Sequence, residues 1–123
     1  MTLTTLVIGG RAAARETAIA AAVDPAVVTA LILEGIATGS SQLETLAALD
    51  TVRIVRIAPG CMCCVGNLTL RVTLNRILRH PPQQLFISLA TSTHLTQILT
   101  FLTGAPYDAL LTLTDTINCG ETA

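Results

Sequence analysis

The chain has 123 residues, of which 51% are hydrophobic, 12% charged and 2% aromatic, with a formal net charge of −1. That length can bury one core, and the core must be aliphatic. The charge balance excludes the basic footprint of a nucleic-acid binder, and all seven basic residues are Arg. The charged share is about half the usual ~25%, so part of the surface is expected to be covered in a homo-oligomer, a dimer being the simplest. The most apolar stretch, Pro25 to Leu33, falls well short of the ~20 residues of a membrane span. No basic lead precedes an apolar run at the N-terminus, so we expect no signal peptide and no membrane, and place the chain in the reducing cytoplasm.

Thr2 to Ile8 is rich in β-branched residues and ends on Gly9-Gly10, the pattern of a buried strand entering a tight loop. Ala12 to Val23 favours helix and is stopped by Asp24-Pro25. Val27 to Leu33 reads as a second strand, followed by Glu34-Gly35. Ser40 or Ser41 caps a helix running to about Leu49, with Glu44 as the partner of a capping box. Val52 to Ile57 reads as a third strand. From Leu68 to Arg79 the apolar residues Leu70, Leu74, Ile77 and Leu78 have helical spacing, although Leu68, Leu70, Val72 and Leu74 also alternate as in a strand. Leu85 to Ala90 is a fourth strand, Ser92 or Thr93 to Leu102 a helix, and Ala109 to Leu113 a fifth strand.

Alternating strands and helices predict a three-layer α/β/α fold with a mostly parallel five-stranded sheet. We expect one α/β domain over 1–115 and a loose tail over 116–123. Sites in such sheets lie outside the carboxyl ends of the strands, where both glycine-containing loops fall.

The first of these loops runs Gly9-Gly10-Arg11-Ala12-Ala13-Ala14-Arg15-Glu16. Strand, glycine turn and helix outline a phosphate-binding loop, but its chemistry is missing. Such a loop needs further glycines, a Lys for the terminal phosphates and a hydroxyl for Mg²⁺. Here Ala12 and Ala14, Arg15 and Glu16 stand in those places. Arg is no neutral replacement for a point-charge Lys. A carboxylate at Glu16 is expected to answer the helix dipole itself and to repel an anion. The sequence therefore does not call for nucleotide.

The second loop, Pro59-Gly60-Cys61-Met62-Cys63-Cys64-Val65-Gly66-Asn67, holds three of the four cysteines. Free Cys packs well in cores, but this density between glycines points to a soft-metal or redox site. Cys-x-Cys lets two thiolates of one turn meet one ion, and Zn²⁺ takes four ligands from Cys, His and carboxylate. One loop does not readily supply four, so Glu34, His94, Cys119 and His80 are outside candidates. Glu34 is favoured because it follows the second strand at the same rim. The pattern is not the Cys-x-x-Cys of thioredoxin-like redox sites.

Gly60-Cys61-Met62-Cys63-Cys64, after a strand and before a helix, resembles the signature of the CobW-like P-loop GTPases, a family of metal chaperones and metal-insertion proteins. The resemblance extends to Thr5–Thr17 at the Walker A position and to Leu33-Glu34-Gly35, similar to an Asn-Glu-x-Gly segment. It also takes in Gly66-Asn67-Leu68, Leu85–Thr91 at the Walker B strand, with Ser88 in place of the acid, and Tyr107–Asp115. It covers nearly the whole chain but only the first part of a family member. It implies a truncated P-loop NTPase fold and metal binding by Cys61, Cys63, Cys64 and Glu34. It does not carry over GTP hydrolysis.

The expectation is thus a zinc-binding pseudo-GTPase, not an enzyme, whose partners are a second copy, a full-length GTPase or a metal-receiving protein. The alternatives are an interaction module that regulates a complete family member, and a residual nucleotide binder.

Overall fold

The computed structural model describes residues 2–35, 41–58, 64–91 and 95–120, and at 41, 42 and 64–67 the backbone alone. Its elements are β1 (Thr2–Ile8), α1 (Ala12–Ala22), β2 (Thr29–Glu34), α2 (Ser41–Ala47), β3 (Val52–Ile57), α3 (Cys64–Ile77), β4 (Gln84–Ser88), α4 (Leu95–Thr103), β5 (Leu111–Leu113) and β6 (Ile117–Asn118). A 3-10 turn spans Tyr107–Ala109.

The strands lie in the order β3-β2-β4-β1-β5, with β6 also on β1, and the pairings are parallel. β5 follows the start of β1 (Thr2 opposite Leu111) and β6 follows its end (Val7 opposite Ile117). Two short strands thus share one edge position, which is why a five-stranded sheet read from the sequence becomes six strands in five places.

The sheet separates two apolar layers. On one side Leu6, Ile32, Leu85 and Ile87 pack with Leu70 and Leu74 of α3 and Ile98 and Leu102 of α4. On the other, Val7, Leu31, Leu33 and Phe86 pack with Ile19 of α1 and Leu43 of α2. This is the α/β/α sandwich. β2 is buried along its whole length between β3 and β4, as its unbroken apolar run requires.

The ambiguous stretch after the cysteine loop is a helix. Leu70, Leu74 and Ile77 are buried, whereas Leu68 and Val72, the residues that mimic a strand alternation, are 50% and 49% exposed. A period of 3.6 places those two on the outer face. The helix begins at Cys64, four residues before the expected Leu68.

Two expectations are corrected. The fifth strand starts at Leu111, because Tyr107 and Asp108 donate their N–H groups to Gly104 O and wind the chain into the 3-10 turn. The segment after Asp115 is not a loose tail over its described part. Ile117 and Asn118 pair with Val7 and Ile8, Cys119 N–H donates to Ile8 O at 2.8 Å, and Gly10 N–H donates to Gly120 O at 2.9 Å.

Candidate metal site at the carboxyl rim of the sheet

The order of the strands places β1 beside β4, although α1 returns the chain to one face and α4 to the other. This is a topological switch point, where α/β sheets form their binding crevice. The glycine loop leaves β1 here, with Gly9 and Gly10 at φ +78° and +64°. Arg15, one turn into α1, fills the crevice. It is 3% exposed. Its Nε donates to Ser88 Oγ at 2.9 Å, and its Nη1 donates to Gly10 O at 2.8 Å and Gly9 O at 3.3 Å. Burial lowers the pKa of this guanidinium, and the nearby acidic groups Cys119, Glu34 and Glu16 pull it back up.

Glu16 is where the sequence reading has to change. It lies beyond the first turn of α1, which has no acid, so it does not answer the helix dipole. It is buried instead under β3, where Arg56 Nη1 donates to its Oε2 at 3.3 Å. The missed partner, Arg56, was visible only as the second Arg of the strand Val-Arg-Ile-Val-Arg-Ile.

Glu34 closes β2. It is 5% exposed, and its Oε1 accepts the Ala90 N–H at 2.8 Å, linking the end of β2 to the segment after β4. It stands opposite Ile57 in the ladder, and Gly35 N–H donates to Ile57 O at 2.8 Å. The buried carboxylate is therefore the immediate neighbour of the strand that feeds the cysteine loop.

Of the other expected ligands, Cys61 and Cys63 lie outside the described residues, as does His94. Cys64 is the first residue of α3. The loop thus joins the carboxyl end of β3 to the amino end of α3. Among the described residues, no group of three or more His, Cys, Asp or Glu could hold a metal. His80 is at the opposite end of the sheet, since α3, with 14 residues, carries the chain about 21 Å from its start. Cys119 follows β6, four strand positions from β3, about 19 Å at the usual spacing; its Sγ lies 3.8 Å from Ala14 O beside the first loop. Among the described outside candidates, Glu34 therefore borders the carboxyl end of β3, whereas His80 meets that strand only at its start, where Arg53 Nη2 donates to His80 O at 3.0 Å.

The fold and rim define a parallel α/β domain with a glycine loop at its switch point and a cysteine loop three strand positions away. Among curated proteins it is similar to the zinc chaperone YeiR of Escherichia coli (strain K12), with 33% identity over 81 residues that cover 64% of this chain and 25% of that protein. The chain thus spans about a quarter of the length of the relative it matches. No family model matches the chain, and no solved structure does.

Proposed function

We propose that this chain is a zinc-binding protein of the CobW-like kind that handles its metal without hydrolysing GTP. Cys61, Cys63 and Cys64 are the thiolate ligands and Glu34 is the carboxylate. The observation that carries the reading is the position of Glu34: a buried carboxylate at the end of β2, next to the strand that leads into the cysteine loop. The similarity to a zinc chaperone supports the choice of metal. Three thiolates and one carboxylate suit a borderline-soft ion in tetrahedral geometry. Zinc is cargo here, and its capture must release protons from the thiols, so affinity falls as pH falls.

The crevice supports the absence of GTP chemistry. Its occupant is the guanidinium of Arg15, Ser88 takes the place of the Walker B acid, and Gly10 N–H is already bonded to Gly120 O. Metal exchange therefore proceeds without a nucleotide in this crevice, within a dimer or against a full-length GTPase or a metal-receiving protein in the cytoplasm.

The test is the zinc content of protein purified without a metal-affinity tag, followed by competition with a chromophoric chelator. Wild type is expected to bind one zinc per site, and Cys63→Ser and Cys64→Ser to lose it. Glu34→Gln keeps an acceptor for Ala90 N–H and is expected to weaken binding about tenfold or more, a cost of about 1.4 kcal/mol. Protein that takes up no zinc while all its thiols remain reactive would overturn the reading.

A second reading, an interaction module for a complete GTPase, is favoured by one feature. Leu68 and Val72 form a half-exposed apolar pair one turn apart on α3, just after the cysteine loop. It predicts that Leu68→Ser weakens association with such a partner while zinc binding is unchanged.

A further inference from the structure

A cavity of about 500 Å³ lies between α3, α4 and the 3-10 turn, on the face away from α1. That is within the range of small-molecule sites, which combine aromatic walls with a few placed polar groups. Two of the three aromatic residues of the chain line it, Phe101 and Tyr107, their ring centroids 5.0 Å apart and tilted by 50°. Pro106 adds an apolar wall.

Two polar side chains of this cavity, Arg71 and Asn75, can donate to a ligand. Arg71 Cζ stands 5.7 Å from the centre of the Phe101 ring, a cation–π contact. Among the described residues it has no carboxylate partner, so its N–H edge is available for a fork onto an anion. Tyr107 O–H donates to Asn75 Oδ1 at 2.7 Å, which leaves the Asn75 NH₂ as the second donor. Three surrounding carbonyls are engaged: Phe101 O with Gly104 N–H, Gly104 O with the N–H groups of Tyr107 and Asp108, and Pro106 O with Ala109 N–H. Pro106 itself has no N–H.

We infer that this cavity binds a small organic carboxylate with a flat apolar body. The carboxylate bridges Arg71 and the Asn75 amide, and the ring lies against Phe101 and Pro106. The site is independent of the metal rim.

Tyr107 is the only Tyr of a chain without Trp, so intrinsic fluorescence reports on this cavity alone. The full chain is titrated with phenylacetate and with its neutral counterpart phenylacetamide. Phenylacetate is expected to give a saturating change and to bind at least about tenfold tighter than the amide, the scale of a charge-assisted pair. Arg71→Gln is expected to erase that preference. Asn75→Asp, which keeps an acceptor for Tyr107 O–H but turns the donor into a charge, is expected to abolish phenylacetate binding. Both positions are exposed, and unchanged circular dichroism verifies the fold. No saturating response, equal affinity for acid and amide, or a preference that survives Arg71→Gln would overturn the proposal.

Discussion

Arg15→Ala is the sharpest test of how the rim is built. The substitution removes three donated hydrogen bonds, to Ser88 Oγ, Gly9 O and Gly10 O. It also removes the positive charge that Glu34 and Glu16 act upon. Three bonds from a charged donor would exceed 5 kcal/mol if each contributed about 2 kcal/mol. The variant also escapes the desolvation cost of a buried guanidinium, which offsets part of that loss. Breaking a buried charge arrangement by removing one member costs about 3–5 kcal/mol, and that is the expected loss. At roughly 3–5 °C per kcal/mol for a chain of this size, Tm should fall by about 10–20 °C. Urea unfolding followed by circular dichroism gives the free energy directly. Low concentrations of guanidinium, well below denaturing levels, should raise the Tm of Arg15→Ala by refilling the site and leave wild type unchanged. A loss below about 1 kcal/mol, the size of a surface ion pair, would refute the claim that Arg15 organises the crevice.

Other perturbations reach different parts of the structure. Gly9→Ala puts a Cβ 2.5 Å from both Asn118 Oδ1 and Gly120 O at a φ of +78°; it should cost about 2–3 kcal/mol, from the left-handed backbone of about 1–2 kcal/mol plus displacement of β6, and hydrogen exchange at Ile117–Cys119 should rise. Burial raises the pKa of Tyr107, with Arg71 opposing in part. The unfolded chain therefore ionises first as pH climbs past about 10, so the stability contributed by this phenol is complete below that value and is lost as pH rises through the folded pKa; tyrosinate absorbance read against alkaline unfolding checks the sign, and Arg71→Gln should raise the pKa further. GTP with Mg²⁺ should leave Tm unchanged, whereas a ligand of the folded state at one hundred times its Kd would add about 2.7 kcal/mol.

The layered parallel fold was legible because its signals are local. β-branched runs, Ala-rich stretches and Asp24-Pro25 set the strands and helices to within a residue or two, except the start of α3, which lies four residues earlier than expected. Hydrophobic period separated α3 from a strand only once Leu68 and Val72 were known to be exposed, since a surface apolar residue leaves the same letter in the sequence as a buried one. The edge shared by β5 and β6 was not legible. Ile117-Asn118 is too short to register as a strand, and what fixes it is the free rim of β1 and the room that Gly9 leaves for Asn118 and Gly120. The departure from phosphate-loop residue types at 12, 14, 15 and 16 was readable in the sequence. What those residues do instead was not, because Arg15 and Glu16 find their partners, Ser88 and Arg56, in strands far along the chain.

Those partners reverse the polarity of the switch point. A phosphate loop turns backbone N–H groups toward its ligand and adds a cation from the following helix. In this rim the carbonyls of Gly9 and Gly10 and the hydroxyl of Ser88 face inward, and the cation is covalently part of the fold. An anion entering the crevice would meet acceptors and carboxylates once Arg15 moved aside. Replacing Arg15 by Lys does not therefore recreate a nucleotide site, because the surrounding groups hold a cation. The consequence reaches the proposed metal site through Ser88 to Ala90. Arg15 binds one end of this short segment from α1, and Glu34 binds the other from β2. Under the proposed function, a metal that drew on Glu34 would compete with Ala90 N–H at a segment anchored by a permanent charge, and its release would follow that competition rather than the arrival or departure of a phosphate.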